Sequence, residues 1–237
     1  MRLDKYLASK KIVFSRSQAE SYIRMGKVYV NGEQISKPGY LVAEGSIVQL
    51  KTNVQYVSRA AYKLESVVSS LKVYFTDKTV LDVGSSTGGF TDFALKHGAK
   101  KVVAVEVGTN QLHYSLRDEP KIELYEQTDI RSIKKLKSVP DVVVIDVSFI
   151  SLREILPSVA KLVNKRTEIL AMVKPQFESK ELSQKHKGVI KNETERRKIF
   201  KDFEIWTKQN FFIQAKQDSS VAGEKGNKER FYLLRKL

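Results

Sequence analysis

Two sets of residues in this 237-residue chain have the types and spacing for chemistry. The first is Thr79-Val-Leu-Asp-Val-Gly-Ser-Ser-Thr-Gly-Gly89, followed by Glu106, 22 residues beyond Gly84. Val80, Leu81 and Val83 read as a buried strand that breaks at Gly84 into a turn of small residues. Gly88 and Gly89 open an amphipathic stretch, Phe90 to His97, that reads as a helix. A second apolar run, Val102 to Val107, carries Glu106 at its end. Strand, glycine turn, helix, strand and terminal acid make a nucleoside pocket. The turn lets a ligand lie against bare backbone, and the acid accepts from both ribose hydroxyls. The spacing is not G-x-G-x-x-G, so a dinucleotide pyrophosphate fits poorly. Asp82, before the turn, suits an amine or a sulfonium, and S-adenosylmethionine is the natural candidate.

The second set is Lys63, Asp146, Lys174 and Glu229. Each has an ordinary reading when taken alone. Lys63 shares a helix stripe with Ala60 and Val67 and could snorkel at its edge. Asp146 ends the apolar run Val142 to Ile145, at the carboxyl edge where open α/β sheets bind ligands. Lys174 ends the run Ile169 to Val173 and could be a simple ion-pair partner of an acid. Glu229 follows Gly226-Asn227 and could be a solvated strand residue. Together, two amines and two carboxylates at one sheet mouth can activate a ribose hydroxyl, a feeble nucleophile that must be aligned and relieved of its proton. A lysine does this only when neutral, and each tenfold weakening of its hold on the proton needs roughly 1.4 kcal/mol of differential interaction. Lys174 is assigned as base and Lys63 as the group steering the hydroxyl, with Asp146 and Glu229 holding the lysines. The chain has no cysteine for a pyrimidine C5 adduct, and Asp146 is followed by Val147-Ser148-Phe149 rather than by Pro-Pro-aromatic. Carbon and amino-group methylation are disfavoured, which leaves oxygen.

Composition supports a polyanionic partner. Net charge is +15 with pI near 9.7. Residues 1–57 hold nine Lys/Arg against four Asp/Glu, and the remainder is also basic, so the positive field is not confined to a tail. The absence of cysteine excludes disulfides and thiolate metal sites and suits a cytoplasmic protein. The opening Met-Arg-Leu-Asp-Lys-Tyr-Leu has no signal-like apolar core, and nowhere do about 18 apolar residues run together, so no membrane association is expected. His97, His113 and His186 form no spaced pair, and no metal is expected.

The elements that must position these groups fall into two parts. Residues 1–51 read as a small α+β domain. Leu3, Tyr6 and Leu7 lie at helical spacing, Ser17 and Glu20 form a capping box, and Gly26 stops the second helix. Val28 and Val30 lead into an Asn31-Gly32 hairpin turn, and Ile47 to Leu50 supply another strand. Residues 52–57 read as a linker, and a catalytic domain fills 58–237. A helix from Ser58 to Leu71 is followed by strands at 79–83, 101–107, 121–126, 141–146 and 168–173. Helices at 88–97, 109–117, 151–163 and 193–209 alternate with and follow them, Pro157 leaving the start of the third unsettled. Two terminal strands, Phe211 to Lys216 and Glu229 to Leu234, form a hairpin. The alternation implies an α/β fold, a mostly parallel sheet wrapped by helices with an antiparallel hairpin at its end.

The chain resembles the TlyA-type, haemolysin A-like ribosomal RNA 2′-O-methyltransferases, with an FtsJ-like Rossmann-type catalytic domain. The match is carried by Asp-Val-Gly-Ser-Ser-Thr-Gly-Gly-Phe-Thr-Asp at 82–92, Val-Gly-Thr-Asn-Gln-Leu at 107–112, Ile-Asp-Val-Ser-Phe-Ile-Ser-Leu at 145–152 and Val-Lys-Pro-Gln-Phe-Glu at 173–178. Residues 1–51 resemble a small RNA-binding domain of ribosomal proteins and pseudouridine synthases, through Arg2-Leu-Asp-Lys-Tyr-Leu, Ser15-Arg-Ser-Gln-Ala and Gly26-Lys-Val-Tyr-Val-Asn-Gly. The resemblance implies that the family's Lys-Asp-Lys-Glu tetrad falls on Lys63, Asp146, Lys174 and Glu229. It implies an adenosylmethionine site at Asp82, Gly84, Ser85, Gly88, Gly89, Phe90 and Glu106, with Asp129 as an adenine contact. It also implies methylation of a cytidine ribose in large-subunit rRNA, and in some members small-subunit rRNA, within assembled particles. The chain departs from the family's Gly-Asn-x-Glu-Phe by placing Arg230 between Glu229 and Phe231.

Arg2, Lys5, Lys10, Lys11, Arg16, Arg24 and Lys27 cluster on the first two helices and the turn after them. They read either as a solvated basic face or as phosphate contacts that recognise RNA shape. The polar stretch Ser179 to Lys191 is expected to close over a flipped nucleotide. Three other readings compete with an rRNA methyltransferase. One is an RNA-binding regulator with a vestigial catalytic domain, one is a membrane-active haemolysin, and one is a pseudouridine synthase sharing the first domain.

Overall fold

The computed structural model describes residues 1–52, 54–179, 189–223 and 226–237. The chain divides into two compact units, Met1–Ala61 and Tyr62–Leu237.

In the first unit, α1 (Leu3–Ser9) and α2 (Arg16–Arg24) accompany a small antiparallel sheet of β1 (Val28–Val30), β2 (Glu33–Gln34) and β3 (Val48–Leu50), in the order β2-β1-β3. The cap of α2 corrects the sequence reading. Ser15, not Ser17, accepts from Gln18 N at 3.1 Å, and Gln18 Oε1 in turn accepts from Phe14 N. Both Ser-x-x-Gln and Ser-x-x-Glu satisfy the capping pattern, and the earlier pair has the extended cap backbone. Leu3, Leu7, Tyr22, Ile23 and Val28 form the core, joined by the fully buried Tyr56. Gln18 Nε2 donates to the Tyr56 carbonyl at 2.6 Å. Asp4 is also fully buried and holds Arg16 at 2.7 Å and Arg2 at 3.1 Å.

The second unit opens with most of α3 (Ala60–Leu71). Then come β4 (Thr79–Val83), α4 (Gly89–Lys96), β5 (Lys101–Val105), α5 (Tyr114–Arg117), β6 (Ile122–Tyr125), β7 (Val142–Ile145), α6 (Leu152–Leu162), β8 (Glu168–Val173), α7 (Pro175–Glu178), α8 (Glu193–Thr207), β9 (Phe211–Asp218) and β10 (Arg230–Lys236). Seven strands form one sheet in the order β6-β5-β4-β7-β8-β10-β9, with β10 antiparallel to β8 and β9 and every other pairing parallel. The α/β class and its terminal hairpin are as expected. The central strands are apolar on both faces because helices cover both. Val83, Val105, Ile145, Ala171 and Tyr232 join Ile155, Val159, Phe200 and Phe203 in one cluster.

The expected helix 109–117 shortens to Tyr114–Arg117. Asn110 is left-handed at φ +57°, and the Glu106 carboxylate accepts from Gly108 N, so this chain is spent on a binding loop instead. Pro157 is accommodated inside α6, where it forfeits only one backbone bond, and Ser151 caps the helix start. Among the described residues, no helix is long and apolar enough to cross a membrane.

Candidate active site

The carboxyl ends of β4, β5 and β7 surround a cavity of about 520 Å³ whose walls include Gly84, Ser86, Glu106, Gln111, Asp129 and Asp146. This volume lies within the roughly 300–1,000 Å³ range of small-molecule sites. Gly84 sits at φ +81°, and a Cβ there would lie 2.7 Å from the Asp146 carbonyl oxygen. Only glycine permits both the left-handed turn and this approach of β4 to the loop after β7. Gly88 caps α4 at φ +88°, and Gly89 begins the helix. Ser85 is buried with no hydrogen-bond partner for its hydroxyl, and Phe90 is buried at 6.1 Å from the Phe231 ring.

Glu106 leaves β5 nearly buried. Its Oε2 accepts from Ser86 N and its Oε1 from Gly108 N, both at 2.8 Å. The carboxylate thus pins the glycine turn to the next loop; Oε1 accepts also from Gln111 Nε2 at 3.5 Å, which leaves Oε2 the oxygen with spare acceptor capacity for a ribose hydroxyl. Glu106→Ala removes an anionic acceptor from two amides and from any bound ribose. It is expected to weaken S-adenosylmethionine binding about ten- to a hundredfold, from roughly 1.5–3 kcal/mol per lost charge-assisted bond with partial replacement by water. Titration calorimetry reads this directly, and wild-type affinity in the variant removes Glu106 from the site.

Asp82 is fully buried and does not line the cavity wall. Its Oδ2 accepts from Thr91 Oγ1 at 2.7 Å, and its Oδ1 has no hydrogen-bond partner. Burial pushes the carboxyl up to about 7, against the Thr91 hydrogen bond and with help from nearby Asp146. An unfolded carboxyl titrates near ~4. Between those values the folded chain holds the extra proton, so stability falls as pH rises through this window. The contribution of Asp82 to stability is expected to fall by about 3 kcal/mol between pH 5 and 8, since each tenfold difference in proton affinity between the folded and unfolded carboxyl is worth roughly 1.4 kcal/mol. Asp82→Asn flattens that slope in urea denaturation. Parallel slopes for the two proteins exclude Asp82 as the cause.

Asp129 lies at the cavity edge and caps the short 3-10 turn Ile130–Ser132, accepting from Arg131 N at 2.8 Å. Its ion pair with Arg131 at 2.7 Å holds the carboxyl below its ordinary value.

The four chemistry-bearing residues form two ion pairs. Lys63 Nζ is 2.6 Å from Glu229 Oε2, and Lys174 Nζ is 2.6 Å from Asp146 Oδ1, all four side chains being largely buried. Sheet register brings the pairs together. Arg230 stands opposite Val173 in the β8–β10 ladder, so Glu229 and Lys174 leave adjacent strand ends side by side. The inserted Arg230 leaves this register intact, because it turns to Asp218 and lies 4.5 Å from the Phe200 ring while Phe231 remains core.

Several neighbours escaped the sequence reading. Ser148 accepts from Lys174 Nζ at 2.7 Å. Phe149, left-handed at φ +65° and 91% exposed, stands 5.3 Å from the Phe177 ring. Glu178 is buried and holds the start of α6, accepting from Leu152 N and Ser151 Oγ. Only the Asp-Val-Ser-Phe loop after a strand end hinted at the first two. Of the basic residues in the first unit, Lys5, Lys10, Lys11 and Arg24 are exposed and Lys27 is half-buried. Arg2 and Arg16 share their charge with Asp4. His97 stacks on Phe93, and His113 caps α5. Most of the Ser179–Lys191 stretch, with His186, lies outside the described residues.

A model of the FtsJ-like methyltransferase family matches residues 56–237, and a model of the S4 domain matches residues 1–48. The protein called Hemolysin A in Brachyspira hyodysenteriae is 39% identical over 202 residues, which cover 84% of each chain. The 23S rRNA (cytidine-2′-O)-methyltransferase TlyA of Campylobacter jejuni is 36% identical over 98% of each chain. A solved hemolysin-named chain from Streptococcus thermophilus superposes with a TM-score of 0.76 at 34% identity, covering 100% of this chain and 88% of that one.

Proposed function

Since the chain belongs to the FtsJ-like methyltransferase family and carries an S4 domain ahead of it, we propose that it methylates ribose 2′-hydroxyls of ribosomal RNA with S-adenosylmethionine as donor. The observation that carries this reading is the pair of lysine–carboxylate contacts, Lys174–Asp146 at strand ends beside the Glu106 cavity and Lys63–Glu229, where α3 meets the start of β10. The cavity fits the donor: Gly84 leaves backbone bare, Glu106 offers a carboxylate oxygen, and Asp129 stands at the edge. Gly84, Ser85, Gly88, Gly89, Phe90, Glu106 and Asp129 would hold the nucleoside end, and Asp82 would attract the cationic end. When bound, S-adenosylmethionine supplies an electrophilic methyl group on a sulfonium.

The chain's own residues do the rest. Lys63 orients the ribose hydroxyl, and Lys174 takes its proton as the oxygen becomes a nucleophile. Asp146 and Glu229 keep the two amines in place. Residues 1–51 grip rRNA phosphates and residues 58–237 carry the chemistry, with 52–57 between them, of which Tyr56 packs into the first unit's core. The target is a cytidine of large-subunit rRNA, with small-subunit rRNA as a second substrate, and the work is done in the cytoplasm, where ribosomal particles are. Purified protein incubated with ribosomal subunits and isotopically labelled donor should place label on one or two ribose oxygens, mapped by mass spectrometry of rRNA fragments. Label on a base, or none at all, overturns this reading.

A further inference from the structure

We propose that Ser148 is a positioning residue that fixes the direction in which Lys174 takes the proton. This deepens the proposed function and rests on Lys174 being the base. Among the described residues, Lys174 Nζ has two oxygen neighbours of different kinds, Asp146 Oδ1 at 2.6 Å and Ser148 Oγ at 2.7 Å. An ammonium has three N–H groups and no lone pair, while the neutral amine keeps two N–H groups and gains one lone pair. The Asp146 contact is an ion pair without hydrogen-bond geometry, so it holds the charge but sets no N–H direction. The hydrogen bond to Ser148 does set one, and so narrows the directions left to the lone pair. The ribose O–H bond breaks and its proton passes to Nζ as the oxygen bonds the methyl carbon, whose bond to the donor sulfur breaks with the electron pair left on sulfur as a neutral thioether. Nζ ends as the ammonium, still donating to Ser148 Oγ and ion-paired with Asp146.

The backbone is built to hold this hydroxyl. Phe149, next in the chain, is left-handed at φ +65°, a conformation that a bulky residue keeps only where its surroundings impose it. Asp146 is pressed against Gly84, so both ends of the Asp146–Phe149 loop are constrained. Ser148 itself lines the cavity and is exposed. Among the described residues, the other charged groups on elements beside Lys174 are already engaged. Glu229 pairs with Lys63, and Glu178 on α7 accepts from Leu152 N and Ser151 Oγ. Ser148 is the neutral acceptor in direct contact with the amine.

The test measures methylation of ribosomal subunits for Ser148→Ala, Ser148→Thr, Lys174→Ala and the Ser148→Ala/Lys174→Ala double variant. Ser148→Ala is expected to lower kcat about tenfold, with KM for S-adenosylmethionine within about twofold, as for loss of one aligning hydrogen bond. Ser148→Thr, which keeps the hydroxyl, should restore kcat. The double variant should be no slower than Lys174→Ala. Wild-type kcat in Ser148→Ala, no rescue by Ser148→Thr, or a further tenfold loss in the double variant overturns the proposal. Wild-type activity in Lys174→Ala instead overturns the base assignment, and the role of Ser148 falls with it.

Discussion

Replacing Lys174 with alanine is expected to slow ribose methylation about a hundred- to ten-thousandfold, the usual contribution of a positioned general base. Binding of S-adenosylmethionine should stay within a few-fold of wild type, because Lys174 is not part of the cavity wall that Glu106 and Asp129 line. Lys174→Arg separates charge from proton transfer. It keeps the cation opposite Asp146 but cannot be deprotonated at accessible pH, so it should remain as slow as the alanine variant. Single-turnover rates with saturating donor and subunits give the comparison. Recovery of activity in the arginine variant would mean that Lys174 acts only through its charge and that the proton leaves by another route.

Raising salt from 50 to 200 mM is expected to weaken binding to rRNA roughly a hundred- to five-hundredfold, for about five neutralised phosphates. The structure lowers the number of available cations from the seven apparent in the sequence. Lys5, Lys10, Lys11 and Arg24 are exposed, whereas Arg2 and Arg16 already share the buried Asp4 at 3.1 and 2.7 Å. Replacing Lys10 and Lys11 with alanine should reduce the slope of log affinity against log salt by about two, one for each lost phosphate contact. Asp4 holds its charge well below the ordinary carboxylate range, chiefly through its Arg2 hydrogen bond, so this partition does not change near neutral pH. A salt-independent affinity in filter-binding or anisotropy measurements excludes phosphate-led recognition.

Much of this was legible in the residues because the relevant physics is local. An apolar run ending in glycine, a helix start and a second run ending in an acid lie within a few dozen residues. Strand–turn–helix–strand geometry then leaves Gly84 and Glu106 little choice of place. Periodicity likewise gave the alternating elements and the terminal hairpin. Local signals failed where two patterns competed, as at the cap of α2. They also failed where a tertiary bond claimed the backbone, as when Glu106 took Gly108 and shortened the expected 109–117 helix.

Partnership was decided by the tertiary structure alone. Sequence could name two lysines and two carboxylates but not which amine meets which acid. The β8–β10 register sets Lys174 and Glu229 on adjacent strand ends, and burial then pairs Lys63 with Glu229 and Lys174 with Asp146. Ser148 and the left-handed Phe149 became visible in the same way. Hydrophobic pattern repeats every two or 3.6 residues and can be read along a chain. An ion pair between residues far apart in the chain depends on sheet closure, which no short window of sequence encodes.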